Sequence, residues 1–255
     1  MISKNEIKRV RFLLTKKGRE ESGLFTVEGI KSVKEALASS FEVKCVYCAS
    51  DDVATEICAA NVPCETVGDS VMEAISFSVT TTAMAVVKQP VYDTSEIIDK
   101  AASSDSLSLA LDSVRDPGNL GTILRIADWF GIDAVFASPD TVELFNPKPV
   151  QASMGSIFRT KLIYSDIVSV AQSFAKAGKG VFGTFLDGED IYKKELPSQG
   201  LIVMGSESFG ISKAVENCVS NRLLIPSFNR SSHRAESLNV AVATAIVCSE
   251  FCRKL

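Results

Sequence analysis

The 255-residue sequence lacks several features that would assign it quickly. It has no run approaching the roughly 18 uninterrupted apolar residues of a membrane span. Its start, "MISKNEIKRVRFLLTKKGRE", carries positive charge but no apolar stretch of the kind a signal peptide needs. A cytoplasmic chain is therefore expected. A basic excess is also missing, because the net charge is −4. That excludes nucleic-acid binding by bulk charge alone. The seven cysteines are odd in number and lie in apolar segments. This fits buried free thiols better than a disulfide framework. Cys45 and Cys48 form a C-x-x-C pair, but Cys58 and Cys64 do not repeat its spacing, so no zinc site is expected. Internal repeats and low-complexity tracts are absent.

The glycine loops fail the nucleotide fingerprints. "DPGNLGTIL" has G-x-x-G where a dinucleotide loop needs G-x-G-x-x-G, and the following strand ends at Ser138 rather than an acid. "GSESFGIS" has P-loop spacing, but Ile211 stands where the phosphate-binding lysine belongs. "AKAGKGVFG" reads as a helix cap and turn.

What is present is a globular composition, 46% apolar and 23% charged. Residues 1–90 read as a small α/β unit. Residues 91–105 read as a linker or a short connecting helix. From residue 106 onward, short apolar strands alternate with helices, which predicts a parallel sheet covered on both faces. Among the first 19 residues, Lys4, Lys8, Arg9, Arg11, Lys16, Lys17 and Arg19 face only Glu6. Two readings of that segment stand: a phosphate-binding surface or a solvated helix face.

"DSVRDPGNLGTILRIADWFG", Asp112–Gly131, is a turn-rich loop entering an amphipathic helix. Asn119 is the expected N-cap. Ile123, Ile126, Ala127 and Phe130 form its packing stripe, and Arg125 lies opposite. The last helix, expected from about Glu236 to Lys254, is apolar nearly all round. It must be buried in the core or against a second subunit, and it starts with Ser237, a candidate cap, and Asn239.

Three stretches, "DPGNLGTILRIADWFG", "IVMGSESFGIS" and "LLIPSFNRSSHRAESLNVAVATA", resemble in order the three motifs of the SpoU (TrmH) family of RNA ribose 2′-O-methyltransferases, in the SPOUT superfamily. "KKGREESGLFTVEG" resembles that family's accessory RNA-binding domain. The resemblance implies an α/β fold. A small L30e-like RNA-binding domain would occupy residues 1–90, and a SPOUT domain with a parallel sheet and deep trefoil knot residues 106–255. It implies S-adenosylmethionine bound by Met204, Gly205, Ile225 and Leu238, with glycine at 205 giving the ligand access to the main chain. Arg125, Asn119, Glu207, Ser237 and Asn239 would be catalytic, with Asn119 and Arg125 presented to RNA. Arg125 stays protonated, so it would organise phosphate and hydroxyl while the base is left open. Arg11, Lys16, Lys17 and Arg19 would capture RNA, and residues 105–255 would bind the cofactor alone. A homodimer without metal is implied, acting on ribosomal RNA. Transfer RNA as substrate, or RNA binding without catalysis, are the alternatives. "SFNRSSHRA", within residues 227–235, departs from the family's short connection. It holds the only histidine, His233, with no family counterpart, while Arg230 and Arg234 fit RNA contacts better.

Overall fold

A computed structural model describes residues 2–57, 61–229, 231 and 235–253. The chain divides into two compact units, residues 1–91 with 143–159, and residues 92–142 with 160–255.

The first unit begins with α1 (Lys4–Phe12), α2 (Lys16–Ser22), β1 (Leu24–Glu28), α3 (Ile30–Ala38) and β2 (Val43–Cys48). It continues through α4 (Asp51–Ile57), β3 (Cys64–Thr66), α5 (Asp69–Ile75) and β4 (Ala83–Lys88). Its sheet runs β1-β4-β2-β3, antiparallel except for the parallel β2–β3 pair. β3 and α5 escape a pattern reading because each is too short to show a period. Val10, Leu13, Tyr47, Met72, Ile75, Met84 and Val86 pack one of its cores. Cys45 and Cys48 are free, but Cys64 is disulfide-bonded, so the expectation of free thiols fails there.

The second unit opens with α6 (Thr94–Ser103), β5 (Leu107–Leu111), α7 (Pro117–Trp129) and β6 (Val135–Ala137). α6 is capped by Asp93 and packs Ile97 and Ile98 into this unit's core, so the 91–105 stretch is no free linker. Residues 143–159 belong to the first unit, with α8 (Pro147–Ser153) and a short 3-10 turn, Ser156–Phe158. There the Phe145 ring lies 4.6 Å from Phe25 of β1. The second unit resumes with β7 (Leu162–Tyr164), α9 (Ile167–Lys176), β8 (Val181–Asp190) and β9 (Gly200–Met204). It ends with α10 (Lys213–Glu216), β10 (Asn221–Leu224) and α11 (Val240–Cys252).

Its sheet is wholly parallel, ordered β10-β8-β9-β5-β6-β7. β5 and β9 are buried at every position, as central parallel strands covered on both faces should be. From β5 the chain steps one way to β6 and β7, while β9 flanks β5 on the other side. The strand order thus switches at β5/β9, and ligands of open parallel sheets bind beyond the carboxyl ends at such a point. α11 packs along α7, and its Phe251 ring meets Phe182 edge-on at 5.0 Å. Among the described residues no helix is long and apolar enough to cross a membrane.

Candidate active site

The site lies beyond the carboxyl ends of β5 and β9. The first of its segments is the β5–α7 loop. Asp112 follows the apolar β5, is buried, and accepts a hydrogen bond from the Ser212 amide at 2.7 Å. Its own amide donates to the Met204 carbonyl at 2.9 Å. Ser113 is left-handed, φ 64°, a costly state for a residue with a β-carbon. Neighbours hold it there. Its amide donates to Ser138 Oγ at 2.8 Å and its hydroxyl to Asp140 Oδ2 at 2.6 Å. The Ser113 and Ser138 hydroxyls, helped by Arg115, hold the Asp140 carboxyl at about 2, below the usual carboxylate range.

α7 starts three residues earlier than a cap at Asn119 implies. Asp116, not Asn119, is the N-cap: its carboxylate accepts from the Asn119 amide at 2.8 Å, with Pro117 at the first helical position. Asn119 is therefore released from capping and does something else. It is buried, and its side-chain Nδ2 donates to Glu207 Oε1 at 2.7 Å. Asn239 Nδ2 donates to Asn119 Oδ1 and to the same Glu207 oxygen, each at 2.9 Å. The Val240 amide reaches that oxygen at 3.3 Å. Asn239 Oδ1 caps α11 through the Ala241 and Val242 amides at 3.0 and 3.2 Å. The last helix thus begins at Val240, and its cap is Asn239 rather than Ser237. One carboxylate oxygen gathers three donors, an arrangement stronger than neutral pairs because the acceptor is charged.

Glu207 sits in a tight turn after β9. Ser206 and Gly210 exchange backbone hydrogen bonds at 3.0 and 2.9 Å, and Ser206 Oγ accepts from the Phe209 amide at 3.0 Å. Gly210 has φ 69°. A β-carbon on Gly205 would lie 2.2 Å from the Gly210 carbonyl carbon and 2.3 Å from the Ile211 nitrogen. The bare α-carbon at 205 is thus needed by the turn's own backbone, besides any access it gives a ligand. Ser113, Arg115, Asp116, Asn119, Glu207 and Phe209 help line a cavity of about 80 Å³ here.

The other expected residues are placed as follows. Arg125 is exposed on α7, away from the buried face of Leu120, Ile123, Leu124 and Ala127. Met204 is buried at the end of β9, and Leu238, beside Asn239, is 47% exposed. Ile225 is half-buried just past β10, and Ser237 is exposed. Arg11, Lys16 and Lys17 are exposed, the lysines facing Glu20 and Glu21 at 3.6 and 3.7 Å. Arg19 is a different case. It is 1% exposed, forks onto both Glu143 oxygens at 2.7 and 2.6 Å, and donates to the Leu13 carbonyl at 2.8 Å. A guanidinium enclosed in this way is a structural brace of the first unit, not an RNA contact. Arg230, His233 and Arg234 lie outside the described residues. Asp112, Ser113 and Asp140 were missed; the acid closing the apolar run "LSLALD" was the one available signal.

Residues 106–249 match the SpoU rRNA Methylase family, and residues 4–85 match the MRM3-like substrate binding domain. The 23S rRNA (guanosine(2553)-2′-O)-methyltransferase RlmP of Bacillus subtilis is 29% identical over 247 residues, 96% of this chain and 95% of that protein. A TrmH-family protein from Porphyromonas gingivalis superposes with a TM-score of 0.87 at 36% identity, covering 100% of both chains. An AdoMet-bound rRNA methyltransferase from Sinorhizobium meliloti gives 0.86 at 29%, covering 100% of this chain and 97% of that one. With over half its length matched and its three motif segments joined through Asn119, Glu207 and Asn239, the chain belongs to the SpoU rRNA methylase family.

Proposed function

We infer that this protein transfers a methyl group from S-adenosylmethionine to a ribose 2′-hydroxyl of ribosomal RNA, in the cytoplasm. The observation that carries the reading is the convergence of Asn119 and Asn239, from the first and third motif segments, on Oε1 of Glu207 in the second. The residues fit the cofactor. A pinned backbone turn at 205–212, the exposed apolar Leu238 and the half-buried Ile225 suit a ligand with an apolar body and no phosphate. When bound, it supplies an electrophilic methyl on a sulfonium, so the chain has to position an oxygen in line with it. Asn119, engaged on both sides, braces the site; Arg125 is the exposed cation that holds the hydroxyl and a neighbouring phosphate. A permanently protonated guanidinium cannot take the hydroxyl's proton, so Arg125 acts by positioning. Ser237, exposed beside this cluster, contacts the ribose.

The first unit delivers RNA through Arg11, Lys16 and Lys17. The second carries the family's deep trefoil knot, which the out-of-sequence order β10-β8-β9-β5 supports. A homodimer forms on the α7–α11 face, where Val242 is 50% and Trp129 84% exposed. The test is purified protein incubated with labelled S-adenosylmethionine and deproteinised ribosomal RNA, with ribose methylation mapped by mass spectrometry. A 2′-O-methylated nucleotide is expected; base methylation or no transfer overturns the reading.

A further inference from the structure

Phe209 is out of place for a residue of its type. Its ring is 84% exposed, although it sits in one of the most tightly tied turns of the second unit. Glu207 is held by Asn119, Asn239 and the Val240 amide. Ser206 and Gly210 close the turn, Ser206 Oγ fixes the Phe209 amide itself, and Asp112 anchors Ser212 at the exit. The backbone therefore leaves the ring little freedom to fold down onto the protein. Exposing an aromatic ring forgoes roughly 25 cal/mol for each Å² it could bury. A rigid turn that presents such a ring is organised for a partner with a flat apolar face.

The surroundings say which partner. Phe209 lines the same cavity as Arg115, Asn119 and Glu207, so it borders the cluster that joins the three motif segments. Arg115 is largely exposed. It gives one nitrogen to Asp140 Oδ2 at 3.2 Å, which orients the guanidinium and leaves other N–H groups available. An aromatic face and a guanidinium at one cavity mouth match the two recurring parts of a single RNA nucleotide, base and phosphate. The cavity, about 80 Å³, is too tight to enclose a base, so the base must rest outside it on the ring. We propose that Phe209 is a nucleobase-stacking residue and Arg115 a phosphate anchor for the unpaired RNA segment that carries the target ribose. Stacking tolerates any base, so Phe209 selects for an unpaired nucleotide, and identity is read elsewhere. The inference rests on the methyltransferase reading above.

The test compares wild type with Phe209→Ala, Phe209→Trp and Arg115→Ala. The measurements are affinity for a fluorescein-labelled single-stranded RNA at several salt concentrations, affinity for S-adenosylmethionine by calorimetry, KM and kcat on deproteinised ribosomal RNA, and oligomeric state by light scattering. Phe209→Ala is expected to weaken RNA binding and raise KM by roughly five- to a hundredfold, the range of one lost stack. Phe209→Trp should restore both. Arg115→Ala should reduce the salt slope by about one. Cofactor affinity should stay within about twofold of the wild-type value for all three. Unchanged RNA affinity in Phe209→Ala overturns the proposal. So does a loss confined to cofactor affinity, which would put the ring on the cofactor, and so does a loss of dimer in light scattering, which would make it an interface residue. A wild type that binds the RNA but transfers no methyl group sinks the methyltransferase reading instead. The RNA affinities of the variants still decide the stacking role in that case.

Discussion

Asn119 and Asn239 are 120 residues apart in sequence, yet their side-chain amides are hydrogen-bonded at 2.9 Å and donate to the same oxygen of Glu207. The entry to α7, the turn after β9 and the cap of α11 are therefore one assembly. Removing the shared acceptor should be felt by all three. Glu207→Ala is expected to lower methylation at least about tenfold and stability by about 1–3 kcal/mol, the cost of stranding partly buried donors. Thermal denaturation and methyl transfer measured on the same preparation check this.

Gly205→Ala should abolish cofactor binding even though alanine is small. Its β-carbon would meet the Gly210–Ile211 backbone, which cannot swing aside as a flexible side chain can. The turn must shift, and a lowered melting temperature should accompany the loss. A stable Gly205→Ala variant with normal calorimetric affinity would contradict the turn's geometry.

Arg125→Ala should keep S-adenosylmethionine binding and lose methylation. The residue is exposed on α7, away from the buried Leu120, Ile123, Leu124 and Ala127, so the change in the protomer's stability should stay within about 0.5 kcal/mol. Wild-type turnover in this variant would reduce Arg125 to an ordinary surface charge.

Arg19 and its basic neighbours should separate cleanly. Arg19→Ala leaves Glu143 without its forked partner and should destabilise the protein by about 3 kcal/mol, the low end for a broken buried pair because Glu143 is partly exposed. Replacing Arg11, Lys16 and Lys17 together should instead spare stability and lower the salt slope of RNA binding by about 2 to 3. Denaturant melts and RNA titrations at several salt concentrations read the two effects independently.

Acid should act on the β5–α7 loop through Asp140. Its folded-state pKa of about 2 lies below the 3.8 of an unperturbed aspartate, so the carboxylate favours the fold wherever the unfolded chain is also ionised. That contribution is fully present above pH about 4 and fades as pH falls through about 2. The stability difference between wild type and Asp140→Asn should therefore shrink across that window. A difference that grows on acidification would show that the Ser113 and Ser138 hydroxyls favour the protonated form.

Much of this was legible in the chain. β5 and β9 announced themselves because a strand covered on both faces has no reason to alternate. Arg125 declared its face because Ile123 and Ala127 fix the opposite one. Glu207 and Asn239 stood in motif segments. The failures share a cause, which is that a residue type does not reveal its partner. Asn119 and Asp116 are both good caps, and only Glu207, far along the chain, decides between them. Ser237 and Asn239 present the same ambiguity at α11. Arg19 looks like Lys16 and Lys17 until Glu143 is found 124 positions later. The second demand on Gly205, from the returning backbone at Gly210, has no sequence signature.

The return of residues 143–159 to the first unit bears on how the protein is made. A ribosome releases the chain from its N-terminus at about 5–20 residues per second, and domains tend to fold as they emerge. The four-stranded sheet of the first unit is complete by Lys88. Its guanidinium at Arg19 must nevertheless wait for Glu143, and the Phe25 ring for Phe145. That delay is about 6 to 25 seconds at those elongation rates. During it the nascent unit holds an uncompensated charge, and Phe25 has Phe41 beside it but not yet Phe145. Residues 1–91 taken alone would leave Arg19 and Phe25 without Glu143 and Phe145. A fragment beginning at residue 105 would carry 143–159 without the surface those residues belong to.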